Sequence, residues 1–181
     1  MPDAAVVQFP AWIEPVKAHF ATLAKYNKWA NLRLYRMASA LPDEAYRKKV
    51  GAYFGSLHGT LNHLLTADRI WMRRLTGSGD HPSRRDEIVY DDLKSLRAAR
   101  EAEDDRIIEA VSEFDESAFD RAWDYRTLNG TPQRQPLREI LAHLFNHQAH
   151  HRGQAHTILT ILGVSEPEPL DLLIMLRTEQ G

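Results

Sequence analysis

Apolar positions recur with helical spacing in four long blocks of this chain. In the first, Val16, Phe20, Leu23, Ala30, Leu34 and Leu41 fall on one side of a helix that turns about 100° per residue. Pro15 suits its first turn, where the missing N–H costs nothing, and Pro42 stops it. A second helix opens at Gly55–Ser56, with the serine as N-cap, and ends near Leu75 before Gly77 and Gly79. Leu57, Leu61, Leu64, Leu65, Trp71, Met72 and Leu75 form its stripe. A third runs from about Asp91 to Phe114 on a thinner edge of Leu93, Leu96, Ile107, Ile108 and Val111. Its charge run RAAREAEDDR (97–106) is expected to be a solvated face. Pro136 starts the fourth helix, which ends at Gly163, a good residue for a helix C-terminus.

Between these blocks, 77–90 reads as a polar loop that leaves His81 exposed. The segment 115–135 is irregular, and its Asn129-Gly130 pair predicts a short two-stranded hairpin. After SEPEPL, the stretch DLLIMLRT predicts a last short helix. No repeat or composition break divides the chain. The expected architecture is an all-α four-helix bundle forming one domain over residues 1–181.

Composition narrows the chemistry. With 181 residues and 43% hydrophobic content the chain can fill a core. Its 23 basic and 25 acidic residues give a net charge of −2, without the basic excess a nucleic-acid partner selects. There is no cysteine, so any metal is held by nitrogen and oxygen, and any thiol must come from another molecule. No signal peptide and no uncharged run of the ~20 residues a membrane span requires is visible. A cytoplasmic protein with no membrane partner is expected.

Five of the nine histidines lie in HLFNHQAHHRGQAH (143–156). On the fourth helix the stripe is Leu137, Ile140, Leu141, Leu144, Ile158, Leu159, Ile161 and Leu162. At about 100° per residue, His151 lies about 15° and His147 about 55° from its centre, with His143 and His150 about 95° and 115° away. His156 faces the opposite side. His147 and His151 thus point inward, one turn apart, as two imidazoles converging on one ion must. An HxxxH pair alone is a weak signal, and hydrogen-bonded core histidines satisfy it equally. His143 is the neighbour best placed to support them. A third ligand should come from the second helix, where periodicity leans to His58, or to Asp68 as a carboxylate, over His63. Asp68 lies within an apolar stripe and needs a cation, a metal or a histidine N–H; a salt bridge to a neighbouring helix satisfies it equally. Asn27 also lies within its stripe, whereas Trp29 is well away from one.

YNKWAN (26–31), SLHGTLNHLLTADRIWMRRLTG (56–77) and NHQAHHRGQAHTILTILG (146–163), in this order and spacing, resemble the DinB family of the DinB/YfiT-like superfamily. The resemblance implies up-down-down-up connectivity and a divalent metal, zinc or nickel, on His63, His147 and His151. It also implies a homodimer and, from characterised members, thiol-dependent S-transfer to a small electrophilic substrate. A low-molecular-weight thiol such as bacillithiol or mycothiol would then be the cosubstrate. Asn27, Asn31, Asp68, His143, Arg152 and Gln154 are candidates to support or line the site, with Tyr26 and Trp29 as further pocket aromatics. A metal-dependent hydrolase, or a non-enzymatic metal-containing protein of stress response, would fit the same ligands.

Overall fold

Amphipathic helices bury their stripes against one another, and here four long ones do so around a shared axis. In a computed structural model, residues 15–178 are described. The elements are α1 (Val16–Ser39), α2 (Asp43–Arg47), α3 (Leu57–Thr76), α4 (Leu93–Glu113), a 3₁₀ turn (Glu116–Asp120), β1 (Ala122–Arg126), β2 (Pro132–Pro136), α5 (Leu137–Ile161) and α6 (Leu172–Thr178). The caps follow local chemistry. Ser56 Oγ accepts from Gly59 N at 3.1 Å and Asp92 Oδ1 from Ser95 N at 2.8 Å. Gly77 closes α3 at φ 71°, a left-handed conformation that glycine adopts without a Cβ clash. The first helix ends at Ser39 rather than Leu41, and Pro42 caps the short α2, which periodicity alone misses.

Side-chain pairings set the helix directions. Asn27 meets Asp104 and Lys17 meets Ser112, so α1 and α4 are antiparallel. Phe20 stacks near Phe145 and Asn27 meets Arg152, so α1 and α5 are parallel. Gln148 bonds the Leu64 carbonyl while His143 packs on Trp71, so α3 and α5 are antiparallel; Asp68–Arg100 and Thr76–Arg106 make α3 and α4 parallel. The connectivity is up-down-down-up. Two parallel neighbours cannot be joined by a tight turn, so residues 77–92 return along the bundle as a strap. The hairpin pairs Ala122 with Pro136 through Arg126 with Pro132. No helix among the described residues is long and apolar enough to cross a membrane.

The core is split in two. One apolar cluster holds Phe20, Met72, Ile107, Phe119 and Leu144, and the other Leu34, Leu57, Leu61, Leu96 and Leu159. Between them lies a buried polar layer. Arg100 Nη1 is 2.8 Å from Asp68 Oδ2 and Nη2 is 3.1 Å from Asp104 Oδ1, all three about 1% exposed. Asn27 and Asn31 donate to Asp104 at 3.0 Å, Gln148 donates to Asp68, and Arg152 donates to Asn27. Two guanidinium charges thus face two carboxylates. Burial pushes both Asp68 and Asp104 upward, and Arg100 opposes it in each case.

The charge run of α4 is therefore not the uniform solvated face its composition suggests. Arg100, Glu103 and Asp104 are buried, because three other helices carry polar groups to that level. Asp68 takes the salt-bridge alternative and is not beside the histidines as a ligand. Removing one partner of a buried pair costs far more than replacing all of it. Asp104→Ala should lose about 3–5 kcal/mol, read from denaturant unfolding. An Asp68→Leu/Arg100→Met/Asp104→Leu triple should lie closer to wild type than that single variant.

Candidate metal centre

His63 sits on α3 opposite His147 and His151 on α5, at the level of the polar layer but in the outer groove between the two helices. One ligand nitrogen from each lies within 4.8 Å of the others. His63 Nε2 and His147 Nε2 are 3.3 Å apart. Around a tetrahedral ion with nitrogen at about 2.0–2.1 Å, neighbouring nitrogens stand roughly 3.3–3.4 Å apart, so this edge already has the required length.

The other ring nitrogens decide which lone pairs face inward. His63 Nδ1 lies 2.6 Å from the Arg85 carbonyl oxygen, which only accepts, so Nδ1 carries the proton and Nε2 is bare. His151 Nδ1 donates to Gln154 Oε1 at 2.7 Å, while Gln154 Nε2 donates to His150 Nε2 at 3.2 Å. Burial drives His63 down to about 4, against the Arg85 hydrogen bond, which favours protonation. Burial and the neighbouring imidazoles drive His147 down to about 3, and burial also lowers His151. All three are neutral near pH 7, the form that ligates metal. The donor set fits a divalent ion, and among the described residues no carboxylate joins it.

The strap and a glycine shape the surroundings. Asn62 Oδ1 accepts from Val89 N and Tyr90 N at 3.0 Å, and Arg69 pairs with Asp80 at 3.0 Å, which pins the strap to α3 and presents the Arg85 carbonyl to His63. A Cβ on Gly59 would meet Phe54 O at 2.1 Å. Only glycine lets that backbone approach, which lays the Phe54 ring on His63 with centroids 3.8 Å apart. The histidines open into a cleft of about 1020 Å³ edged by Tyr53, Phe54, Arg84, Asp86, Leu128 and Gln154. A second lobe of about 420 Å³, walled by Trp71, Arg74, Tyr125 and His143, meets it at His147, Arg85, Leu128 and Asn129.

The structure sorts the candidate residues. His63, His147 and His151 come together and Gln154 orients one of them. His58, which periodicity favours over His63, instead meets Tyr90 O at 3.2 Å and packs on Tyr46. His143 is exposed and packs edge-on against Trp71. Asn27, Asn31, Asp68 and Arg152 belong to the buried layer and do not line the histidine cleft. Tyr26 donates to Leu170 O at 2.6 Å and Trp29 carries the Arg33 guanidinium, so neither aromatic lines that cleft. His81 is exposed, as expected.

His147 and His151 are half-buried at the helix edge, and the residues that point into the core are Gln148 and Arg152. The apolar stripe misplaced them because it counted Ile161, which is 60% exposed, and omitted every buried polar residue. Sequence reasoning missed Gln148, Arg100 and Asp104. The signal available was helical spacing, since Gln148 and Arg152 continue the Leu141–Leu144–Phe145 face.

Comparison with known proteins agrees with this architecture. The DinB family model matches residues 15–180. Protein DinB of Bacillus subtilis (strain 168) is 26% identical over 168 residues, spanning 88% of this chain and 96% of its own length. A crystal structure of a DinB-like protein from Bacillus cereus ATCC 10987 superposes with a TM-score of 0.62 at 23% identity, covering 81% of this chain and 92% of that one.

The lowered histidine pKa values set a pH dependence. The unfolded chain takes up protons near 6.5, whereas folded His63 and His147 wait until about 4 and 3. Stability from these groups is therefore complete above about 6.5 and falls as pH drops toward their folded values. Asp68, raised by burial, acts in the opposite sense. In metal-free protein, the decline of the urea midpoint between pH 6.5 and 4 should be shallower in a His63→Asn/His147→Asn variant.

Proposed function

The chain belongs to the DinB family, and we propose that it is a three-histidine metalloprotein that transfers a small external thiol to an electrophile. What carries the reading is the convergence of three neutral imidazoles, two with their Nδ1 protons tied to oxygen acceptors, at the floor of a cleft large enough for two small reactants. Three protein donors leave coordination positions free, as catalytic rather than structural sites do. Zinc or nickel suits an all-nitrogen set.

A divalent ion held there would act as a Lewis acid that lowers the pKa of a thiol and keeps it as the nucleophilic thiolate. The protein's own part is orientation and field. Arg85 O and Gln154 Oε1 fix the imidazole rings, and the Phe54 ring covers His63 from one side. Arg84 is offset by Asp86 at 2.7 Å, so the positive edge of the cleft, which suits an anionic nucleophile, comes from Arg85. With no cysteine in the chain, the thiol enters as a cosubstrate.

Hydrolysis would need a general base near the ion. Among the described residues lining the cleft, the one carboxylate, Asp86, is committed to Arg84 at 2.7 Å, and the non-ligand histidine, His150, accepts at Nε2 from Gln154 at 3.2 Å. A purely binding or stress-response role would suit a saturated ion without room beside it, and the donor count and cleft volume speak against that.

His147→Ala should lower metal content and thiol-conjugating activity together, with elemental analysis as the first readout. Full occupancy in that variant would remove His147 from the ligand set. Turnover of an ester or amide without added thiol would favour the hydrolase.

A further inference from the structure

The smaller lobe holds two cations and no anion. The Arg74 guanidinium lies against one side of an aromatic pair, its carbon 4.5 Å from the Trp71 centroid and 5.2 Å from that of Tyr125, the two rings meeting edge-on at 5.2 Å. Its Nε is buried without a hydrogen-bond partner, and among the described residues no carboxylate pairs with Arg74 or Arg85. Among the described residues fourteen ion pairs form, so carboxylates are not scarce, yet none of these residues brings one to this lobe. No described Asp or Glu lines it. Burial works against the Arg74 cation and the neighbouring charge of Arg85 adds to it, while Tyr125 offsets them in part.

The Trp71 and Tyr125 rings cover one side of the guanidinium. Arg74 and Arg85 both line the lobe, and a guanidinium there can recognise a planar carboxylate through two parallel hydrogen bonds. The aromatic walls favour a flat group beside it. Thr127, Asn129, Thr131 and Gln133 from the hairpin offer neutral polar atoms at the rim. Because the lobe meets the larger cleft at His147 and Arg85, a ligand anchored here would extend its other end to the histidines.

We infer that this lobe is a carboxylate-binding subsite in which Arg74 and Arg85 hold a small, planar organic acid as part of the substrate. The inference deepens the proposed function, since it rests on chemistry taking place at the three histidines. It names the substrate class the site selects: an electrophile or thiol bearing a carboxylate.

The probe is benzoate, with the isosteric neutral benzamide as its control. Both are titrated by calorimetry into the metal-free full-length chain, so that no ion can bind the carboxylate. Benzoate should bind and benzamide should not. Arg74→Gln should weaken benzoate by about tenfold or more. Arg85→Gln, exposed on the strap and keeping the backbone carbonyl that holds His63, should weaken it in the same direction without risk to folding. Arg84→Gln, paired with Asp86 outside the lobe, should leave it unchanged. Equal binding of benzoate and benzamide, or unchanged benzoate affinity in both Arg74→Gln and Arg85→Gln, would overturn the subsite. Displacement of benzoate by inorganic phosphate at equal concentration would overturn the carboxylate assignment. Zinc titration of the same protein separates the two claims. Zinc bound without benzoate sinks the subsite alone, and benzoate bound through Arg74 without zinc sinks the metal reading alone.

Discussion

The Arg100 guanidinium, buried between Asp68 and Asp104, is the contact on which the arrangement of this bundle depends. Those two carboxylates bring in Gln148 from α5 and Asn27 and Asn31 from α1, and Asn27 in turn takes Arg152. All four long helices are therefore tied at one level. A buried ion pair is weak evidence for stability, since an apolar replacement of equal volume is often as stable. Its effect here is on geometry. A rotation or one-turn slip of any helix would bring a charge against one of the two apolar clusters and leave its partner bare.

That geometry is transmitted to the histidines through sequence neighbours. Gln148 and Arg152 follow His147 and His151 directly on α5, and Asp68 lies five residues after His63 on α3. Fixing the inner residues sets the rotation of both helices, and the outer residues then meet across the groove at 3.3 Å. Metal ligands need placement within tenths of an ångström, which a purely apolar interface does not enforce, because Leu and Ile surfaces can slide at little cost.

The parallel pairing of α3 and α4 has a second consequence. It requires a long crossover, and the strap that provides it supplies the Arg85 carbonyl that fixes the His63 tautomer. The same strap carries Arg84, Asp86 and the Arg85 side chain to the cleft, while the hairpin closes the other side with Leu128 and Asn129. Connectivity and site construction are thus one problem. The two segments without helical periodicity line the cleft around residues that helices hold still.

The four long helices, the hairpin and the one-turn spacing of His147 and His151 were legible along the chain, because each follows from local periodicity, capping or turn chemistry within a few residues. The His63 partner was legible only through family resemblance, since its own periodicity leaned to His58. Which face of α3 is covered depends on α5, the Phe54 segment and the strap, all distant in sequence. The burial of Arg100 and Asp104 was not legible either. A charge reads as solvated until three other helices are seen to bring counter-charges and amides to the same depth. Local pattern determines which segments are helices; only the packed structure decides which polar residues those helices bury, because burial of charge depends on partners that no single segment contains.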